Sequence, residues 1–299
     1  MDAKIIMRFT PSLLAEANPS YSLETLQTIL YGKEEGLTYS RCHACGMLYC
    51  ESRWDEEILN KVYSDAINHV KSREKALVID KRLSLMRIWM NILRIQKLLG
   101  KGKLDGFKVI DFGCGWGDLL DIISGIGVDV MGYDEDAAKT GSSRKRRHSI
   151  AEDVDQLTAF GPVDVVVMNS VLEHLQNVKE SLRLVKRLLK PDGLFVFGVM
   201  DYRSGYIRRN IQVLANNLPA LTKNLNPIEH VNVYDYDAAV ATVEKYEFDF
   251  FSTGHVLRFT DWVPCHKTLI NLFNTVERIS TKFISSREMS ITVYAQNRV

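Results

Sequence analysis

Lys108-Val-Ile-Asp-Phe-Gly-Cys-Gly-Trp-Gly117 is the stretch of sequence that decides the fold of this chain. A short apolar run opens it, and glycines occupy every second position at its end. Short apolar runs are typical of buried parallel strands, and glycines directly after a strand let the backbone turn sharply and approach a ligand closely. The amphipathic segment 118–124 then predicts a helix. Strand, glycine-rich turn and helix form the unit with which open α/β sheets bind nucleotide-like cofactors at their strand ends.

The spacing of the glycines separates two kinds of cofactor site. A dinucleotide fingerprint has the spacing Gly-x-Gly-x-x-Gly, and here Asp118 stands where its last glycine would be. Asp111 followed by Gly113, Gly115 and Gly117 resembles the first motif of the class I S-adenosylmethionine-dependent methyltransferases. A pyrophosphate favours a bare helix N-terminus, whereas an ammonium and a sulfonium favour a carboxylate. The resemblance therefore implies an S-adenosylmethionine site in which Asp111 attracts the methionine part, and the alternative is a turn that binds nothing.

The composition bounds the classes of function. The 299 residues include 38 basic and 37 acidic side chains, whereas nucleic-acid-binding proteins usually have a basic surplus, so no DNA partner is expected. We expect the basic block 144–147 to be a solvated helix end opposite the binding edge. Membrane spans need about 18 consecutive apolar residues, and no such segment or signal-peptide pattern is found. Five scattered cysteines favour a reducing cytoplasm over a disulfide framework.

The chain divides into two predicted regions. Residues 1–100 are expected to form a mainly helical leader that ends in a long helix over 74–99, where apolar residues recur three or four apart. Residues 101–299 are expected to form the methyltransferase domain, an α/β Rossmann-like sheet that is mostly parallel, with an insertion near 204–228. The resemblance implies an antiparallel last strand. Residues 204–221 are expected to form a helical insertion over the cleft. Strands are predicted over 107–112, 128–133, 147–151, 163–168, 193–199, 248–255 and 289–296, and helices near 116–125, 135–144, 178–190, 235–245 and 262–284.

Four polar residues complete the expected cofactor contacts. Asp134 ends the second predicted strand, where an acid binds the ribose hydroxyls in nucleotide-binding α/β folds. Capping of the next helix is its alternative role. The resemblance implies that the loop after the third strand holds the adenine. Because Ile150 stands where many relatives have Asp, Glu152 or Asp153 is expected to act there, with an ordinary polar loop as the alternative. Asn169 ends the fourth strand and is expected near the methionine part or the sulfonium.

Two histidines are candidate general bases. The segment Leu172-Glu-His-Leu175 resembles the small-molecule branch of the family, including the quinone-biosynthesis O-methyltransferases. Enzymes that methylate nucleic-acid bases or glutamine have prolines directly after this position, whereas Asn169 is followed by Ser-Val-Leu. The difference counts against these two acceptor classes. An imidazole titrates near physiological pH, so His174 is suited to take a hydroxyl proton. Orientation of the loop by Glu173 and His174 is the alternative. His230, in a second Glu-His pair, is the other candidate base or substrate contact, with a structural histidine as its alternative.

The leader carries a pair of cysteines, Cys42 and Cys45, in the segment Arg41-Cys-His-Ala-Cys-Gly-Met-Leu-Tyr49. This segment resembles the second half of the zinc ribbon that precedes the catalytic domain in some sugar methyltransferases. A structural zinc site needs four ligands, normally two such pairs. No Cys or His precedes Cys42, and His43 and Cys50 are the nearby substitutes. We therefore expect a degenerate ribbon without metal.

These observations lead to one expected function and several alternatives. We expect a cytoplasmic methyltransferase that moves a methyl group from S-adenosylmethionine to a small molecule and leaves S-adenosylhomocysteine. A sugar or glycan-precursor hydroxyl is the first expected acceptor because of the ribbon-like leader, and a quinone or other phenol is the second. The remaining alternatives are a protein- or RNA-modifying methyltransferase and a non-catalytic binding protein that keeps the fold. A monomer or a homodimer is expected.

Overall fold

The structure is a computed structural model that describes residues 4–17, 23–30, 36–52, 54, 58, 91–92, 95–96, 98–100, 105–200, 225–251 and 290–298. Their elements in chain order are β1 (Lys4–Phe9), α1 (Pro11–Ala17), α2 (Leu23–Ile29), β2 (Leu37–Arg41), β3 (Leu48–Cys50), β4 (Lys108–Phe112), α3 (Asp118–Ile123), β5 (Asp129–Tyr133), α4 (Ala137–Lys145), α5 (Val154–Phe160), β6 (Val163–Asn169), α6 (Val178–Leu188), β7 (Leu189–Met200), β8 (Asn232–Val233), α7 (Tyr236–Lys245), β9 (Phe248–Phe251) and β10 (Ser290–Asn297). A helix long and apolar enough to cross a membrane does not occur in these ranges.

Two compact units make up the chain. The first consists of residues 1–85, 173–176 and 201–238, and the second of residues 86–172, 177–200 and 239–299. Both units are therefore discontinuous in sequence. The division into a leader and a domain at residue 100 stays a prediction.

The first unit contains an antiparallel sheet of order β1-β2-β3-β8. Burial alternates at the start of β2, where Leu37 and Tyr39 are buried and Thr38 is not, as a half-buried strand requires. The leader was expected to be mainly helical. The described elements of the leader are three strands and two short helices. The predicted helix over 74–99 lies largely outside the described residues.

The second unit contains a six-stranded sheet of order β5-β4-β6-β7-β10-β9. Neighbouring strands from β5 to β7 are parallel, and β10 runs antiparallel to both β7 and β9. This confirms the predicted α/β sheet, mostly parallel with an antiparallel last strand. Its strands pack into one apolar core with the segment before β4, and this core contains Ile92, Ile95, Val109, Ile123, Val128, Val165, Leu194, Val196 and Tyr294.

Two predicted elements differ in the structure. The strand expected over 147–151 is reduced to one parallel bridge between Gly132 and Ile150. The helix α5 follows it directly and was not predicted. Asp153 begins this helix, because its carboxylate accepts a hydrogen bond from Gln156 N at 2.8 Å. The short segment thus ends in a helix cap rather than a continued strand.

The strand predicted over 193–199 begins earlier, because β7 starts at Leu189 and includes residues 190–193. Val163 pairs with Leu189, but Val165 pairs with Leu194, so the residues between bulge out of the sheet. Asp192 takes a left-handed backbone conformation there, with φ 61°. The insertion near 204–228 lies outside the described residues up to 224, and the helical segment 262–284 lies wholly outside them.

Candidate functional site

The glycine-rich turn after β4 takes the conformation that its composition predicts. Gly113, Gly115 and Gly117 have φ values of 78°, 52° and 78°, in the left-handed region that favours glycine. A Cβ on Gly113 would lie 2.3 Å from a methyl carbon of Val171, and one on Gly117 would lie 2.7 Å from the Ser143 hydroxyl oxygen. Both backbone geometry and close packing therefore exclude larger residues at these two positions.

Asp111 is a buried carboxyl at the start of this turn, with 4% of its surface exposed. Burial raises its pKa to about 7, and the charges of Asp134 and Asp118 add to the rise. No cation in the described part of the chain contributes to this pKa. A carboxyl in such a place is poised to gain from a positively charged ligand, because a nearby cation favours its ionised form.

Asp134 follows β5 and is tied to the glycine turn. One carboxylate oxygen accepts a hydrogen bond from Gly115 N at 2.8 Å, and the other accepts one from Asp136 N at 2.9 Å. Asp136 is the residue that caps α4, since its carboxylate accepts from Lys139 N at 3.2 Å. The alternative role of Asp134 as the helix cap is therefore taken by Asp136. Its contact with ribose hydroxyls stays a prediction.

A cleft of about 440 Å³ opens beside the last residues of β4 and β5. This volume is within the usual range of small-molecule sites. The rings of Phe112 and Tyr133 lie 5.1 Å apart in one wall, next to Glu135 and Val154. The lining includes chain neighbours of Asp111 and Asp134 but not these two acids. The opposite wall comes from α6 and consists of Glu180, Ser181, Arg183, Leu184 and Arg187.

The two acids expected at the adenine have local partners. Glu152 is exposed and lies 3.6 Å from the guanidinium of Arg144, and its backbone N–H donates to the Gln156 side chain at 3.0 Å. Asp153 uses one carboxylate oxygen to cap α5. Val154, which sequence reasoning missed, lines the cleft directly. An apolar residue directly after the two acids of this loop is the sequence feature that indicates a lining position.

Asn169 is exposed at the end of β6 and packs against β7. A Cβ on Gly198 would lie 2.4 Å from its side-chain oxygen, so the glycine makes room for this amide. Ser170 N donates to Gly198 O at 2.8 Å and holds the start of the following loop. The expected contact of Asn169 with the methionine part stays a prediction.

Three residues of the basic block 144–147 are exposed, as expected of a solvated helix end, and Arg146 is the exception. Its side chain is 30% exposed and pairs with Asp121 on α3. One terminal guanidinium nitrogen, Nη2, lies 3.0 Å from the position of a Cβ on Gly117. The end of α4 thus packs on the glycine turn, which its sequence did not indicate.

The first unit brings the two candidate bases together. The rings of His174 and His230 lie 4.8 Å apart between centroids at an interplanar angle of 59°. Nδ1 of His174 donates to the carbonyl oxygen of Glu229 at 2.9 Å. A carbonyl only accepts, so Nδ1 carries the proton and Nε2 is the basic nitrogen of the neutral ring. The cofactor residues predicted above belong to the second unit.

Buried side chains fix the loops that carry these histidines. Asn232, 2% exposed, donates from its amide to Leu175 O at 2.7 Å and from its backbone to Glu173 O at 3.0 Å. Asn226 donates to the Glu229 carboxylate at 2.7 Å. The Tyr39 hydroxyl donates to His230 O at 2.5 Å. Both Glu-His segments are therefore held in one hydrogen-bonded arrangement, although they are far apart in sequence.

The predicted ribbon segment is a hairpin between β2 and β3. Cys42 N donates to Met47 O at 2.8 Å, and Gly46 N donates to Cys42 O at 2.9 Å. No disulfide joins Cys42, Cys45, Cys50 and Cys114 to one another. Over the residues that the structure describes, no group of three or more His, Cys, Asp or Glu side chains is suited to hold a metal ion.

Comparison with known sequences identifies the family. A family model described as "Methyltransferase domain" matches residues 86–253, which is more than half of the chain. The ubiquinone biosynthesis O-methyltransferase of Methylococcus capsulatus is 30% identical over 121 residues, covering 38% of this chain and 51% of the relative. The enzyme of the same name from Pseudomonas aeruginosa (strain UCBPP-PA14) is 33% identical over 113 residues, covering 35% and 49%. The chain thus spans about half the length of these curated relatives.

Solved structures agree on the fold. The 1,6-didemethyltoxoflavin-N1-methyltransferase of Burkholderia thailandensis, crystallised with 1,6-didemethyltoxoflavin and S-adenosylhomocysteine, superposes with a TM-score of 0.50. The match covers 88% of this chain and 96% of that one, at 12% identity, and so it supports the fold alone. The sheet order, the motif after β4 and the family match lead to the same conclusion. This chain belongs to the class I S-adenosylmethionine-dependent methyltransferases.

Proposed function

We propose that this protein transfers the methyl group of S-adenosylmethionine to a small-molecule acceptor and releases S-adenosylhomocysteine. The observation that carries the proposal is the buried carboxyl of Asp111 at the start of a turn of left-handed glycines. Burial and two neighbouring acids raise its pKa to about 7. A ligand with an ammonium and a sulfonium offers the positive charge that this carboxyl favours.

The side chains present fit such a ligand. We assign Asp111 to the ammonium of the methionine part and Asp134 to the ribose hydroxyls. Glu152 or Asp153 is assigned to the exocyclic amine of the adenine. Asn169 is assigned to the methionine part or the sulfonium. The cleft between the ends of β4 and β5 and α6 supplies an apolar, aromatic wall of the kind that a purine ring favours.

Methyl transfer requires little covalent chemistry from the protein itself. S-adenosylmethionine supplies a methyl group on a sulfonium, which is a good leaving group. The task of the protein is to hold the acceptor atom in line with that methyl group and to take its proton. We assign proton removal to His174 or His230. The bond from Nδ1 to Glu229 O leaves Nε2 of His174 available as the proton acceptor.

The first acceptor class that we propose is a hydroxyl of a sugar or a glycan precursor. Its support is the leader hairpin with Cys42 and Cys45, which resembles the ribbon that precedes some sugar methyltransferases. A phenolic hydroxyl of a quinone precursor is the second class. Its support is the sequence similarity between this chain and two curated relatives, which are ubiquinone biosynthesis O-methyltransferases. The similarity covers about half of each relative.

Calorimetric titration with S-adenosylhomocysteine tests the cofactor assignment. Wild-type protein is expected to bind it, and Asp134→Ala to weaken binding about tenfold to a hundredfold, since charge-assisted hydrogen bonds contribute ~1.5–3 kcal/mol each. Asp136→Ala is the matched control. It removes the cap of α4 and costs about 1 kcal/mol of stability without changing affinity. No heat and no thermal shift at about millimolar ligand would favour a non-catalytic binding protein.

A methyl-transfer screen with labelled S-adenosylmethionine decides between acceptor classes. The panel contains free and nucleotide-linked sugars, catechols and demethylated quinones, and an RNA and a protein fraction. Label in a sugar supports the sugar hydroxyl as acceptor. Label in a catechol or quinone supports the phenolic hydroxyl instead. Label restricted to RNA, lost steeply as salt rises, would replace both proposals with a macromolecular acceptor.

A further inference from the structure

A basic groove of about 400 Å³ is lined by α6 and by the turn that joins α7 to β9. Its bases are Lys179, Arg183 and Lys186 of α6 and Lys245 at the end of α7. Glu247 is the one acid among the described residues of the lining, so the groove has an excess of three positive charges. The whole chain has a formal net charge of +1, so this excess is local. A volume of this size is typical of a site for a small molecule.

The stability of α6 does not account for its bases. Lys179 lies in the first turn of the helix, where the helix dipole disfavours a cation. Arg183 follows Lys179 by four residues and precedes Lys186 by three, and like charges at these spacings repel one another on a helix surface. Lys179 and Arg183 are exposed, and neither forms an ion pair within the described part of the chain. A bound anion would relieve the repulsion between these side chains.

The groove already contains one anion of the chain itself. The Glu247 carboxylate accepts a hydrogen bond from Lys186 Nζ at 2.7 Å, although the glutamate side chain is 76% exposed. This hydrogen bond lowers the pKa of Glu247, so the carboxylate is ionised near neutral pH. The backbone of Glu247 is left-handed, with φ 62°, which is uncommon for a residue with a long side chain. The turn thus places an oxyanion against a base of α6 in spite of a backbone cost.

We propose that the basic groove binds the diphosphate group of a small molecule. A nucleoside diphosphate carries about three negative charges near neutral pH, which matches the excess of three positive charges in the groove. Lysine and arginine side chains are the usual partners of phosphate oxygens. Leu182 and Tyr246 complete the lining and offer an apolar and an aromatic surface to a ring beside the diphosphate. The inference does not rest on the proposed function.

Calorimetric titration of the full chain with uridine diphosphate, uridine and inorganic pyrophosphate tests the inference. A pyrimidine nucleotide is used, and saturating S-adenosylhomocysteine is present, so that the adenine site of the cofactor does not contribute. Uridine diphosphate is expected to bind, and uridine is expected to give no heat at the same concentration. Tighter binding of uridine diphosphate than of pyrophosphate assigns Leu182 and Tyr246 to the ring. Equal affinity identifies the diphosphate alone as the ligand.

Four variants locate the binding site. Lys179→Gln and Lys245→Gln are each expected to weaken uridine diphosphate about threefold, and the double variant about tenfold, as for exposed charge contacts. Glu247→Gln is expected to strengthen binding about threefold, because it removes the carboxylate that competes for Lys186. Lys145→Gln is the matched control, since this exposed lysine in the last turn of α4 lies outside the groove, and it is expected to leave the affinity unchanged.

Three results would overturn the inference. The first is no heat with uridine diphosphate at about 10 mM. The second is equal affinity of the groove variants and the Lys145→Gln control, which would place the ligand elsewhere. The third is a wild-type protein that binds a short RNA or anionic vesicles through these lysines but binds no diphosphate. Each result leaves the proposed function standing, because titration with S-adenosylhomocysteine alone tests that function. The altered side chains are exposed, so the variants are expected to unfold at the wild-type temperature.

Discussion

The side chain of Asp111 is 4% exposed, and its pKa of about 7 compares with an ordinary value of 3.8. Between about pH 4 and pH 7 the folded protein therefore binds a proton at this group more tightly than the unfolded chain does. The contribution of Asp111 to stability falls as the pH rises through this window. Above pH 7 the fold contains a buried charge, a cost that proteins retain where function requires it.

Removal of this charge is expected to stabilise the protein while weakening the ligand. In Asp111→Asn the free energy of unfolding is expected to exceed that of wild type, and the excess to grow by about 2 kcal/mol between about pH 5.5 and about pH 8.5. Urea unfolding at the two pH values measures this difference. The same variant is expected to bind S-adenosylhomocysteine more weakly. An excess that does not change with pH would show that Asp111 does not titrate in this range.

The raised pKa also predicts a pH-dependent affinity. A bound ammonium favours the ionised form of Asp111, so binding below pH 7 releases a proton from this group. Affinity for S-adenosylhomocysteine is expected to rise with pH up to about pH 7, by at most about tenfold per pH unit, and then to level off. Calorimetry in buffers of different ionisation enthalpy measures the proton release. Asp111→Asn should abolish it, and a release unaffected by this change would assign the proton to another group.

At the scale of elements, the strand, turn and helix from β4 to α3 behave as local sequence predicts. The apolar run pairs on both sides in the sheet, and each of the three glycines adopts a positive φ. The weaker elements were harder to predict. The strand expected at 147–151 is a single bridge to β5. Asp153 and Gln156 form a helix cap in a segment where the sequence predicts a polar loop.

Gly113→Ala tests how strictly the turn constrains its sequence. The new methyl group would lie 2.3 Å from Val171 in a backbone conformation with φ 78°. We expect a loss of stability of about 2–4 kcal/mol and weaker binding of S-adenosylhomocysteine. Gly141→Ala is the matched control, because a Cβ on this α4 glycine would meet no side chain or other segment within 4 Å. Alanine also favours a helix over glycine by about 0.5–1 kcal/mol. Equal stability of both variants in urea unfolding would contradict this account.

At the scale of the whole molecule, residues 55 positions apart meet in the His174–Glu229 hydrogen bond. The two histidine rings lie 4.8 Å apart, so the candidate bases that sequence treats separately share one environment. If they act as a unit, their replacements are expected to be non-additive. We expect the more severe of the two single replacements, His174→Gln or His230→Gln, to lower kcat about a hundredfold. The double variant is expected to lower kcat no further than that single replacement does.

Initial rates with the best acceptor from the screen, measured over several pH values, provide this comparison. His43→Gln, in the exposed turn of the leader hairpin, is the control and is expected to leave kcat unchanged. Losses that multiply in the double variant would show that the two histidines act independently. If neither replacement lowers kcat, proton removal is not a task of this pair.

The sequence by itself determined the parallel sheet, the glycine-rich turn and the two acids that frame it. These depend on neighbours in the chain: apolar runs select buried strands, and alternate glycines allow left-handed backbone. Only the tertiary structure decided that Arg146 packs on the turn, that Gly115 N donates to Asp134 and leaves the cap of α4 to Asp136, and that two Glu-His segments join through Asn232. Such contacts form between segments far apart in sequence. The local periodicity of a sequence does not indicate which distant segments pack together in the folded core.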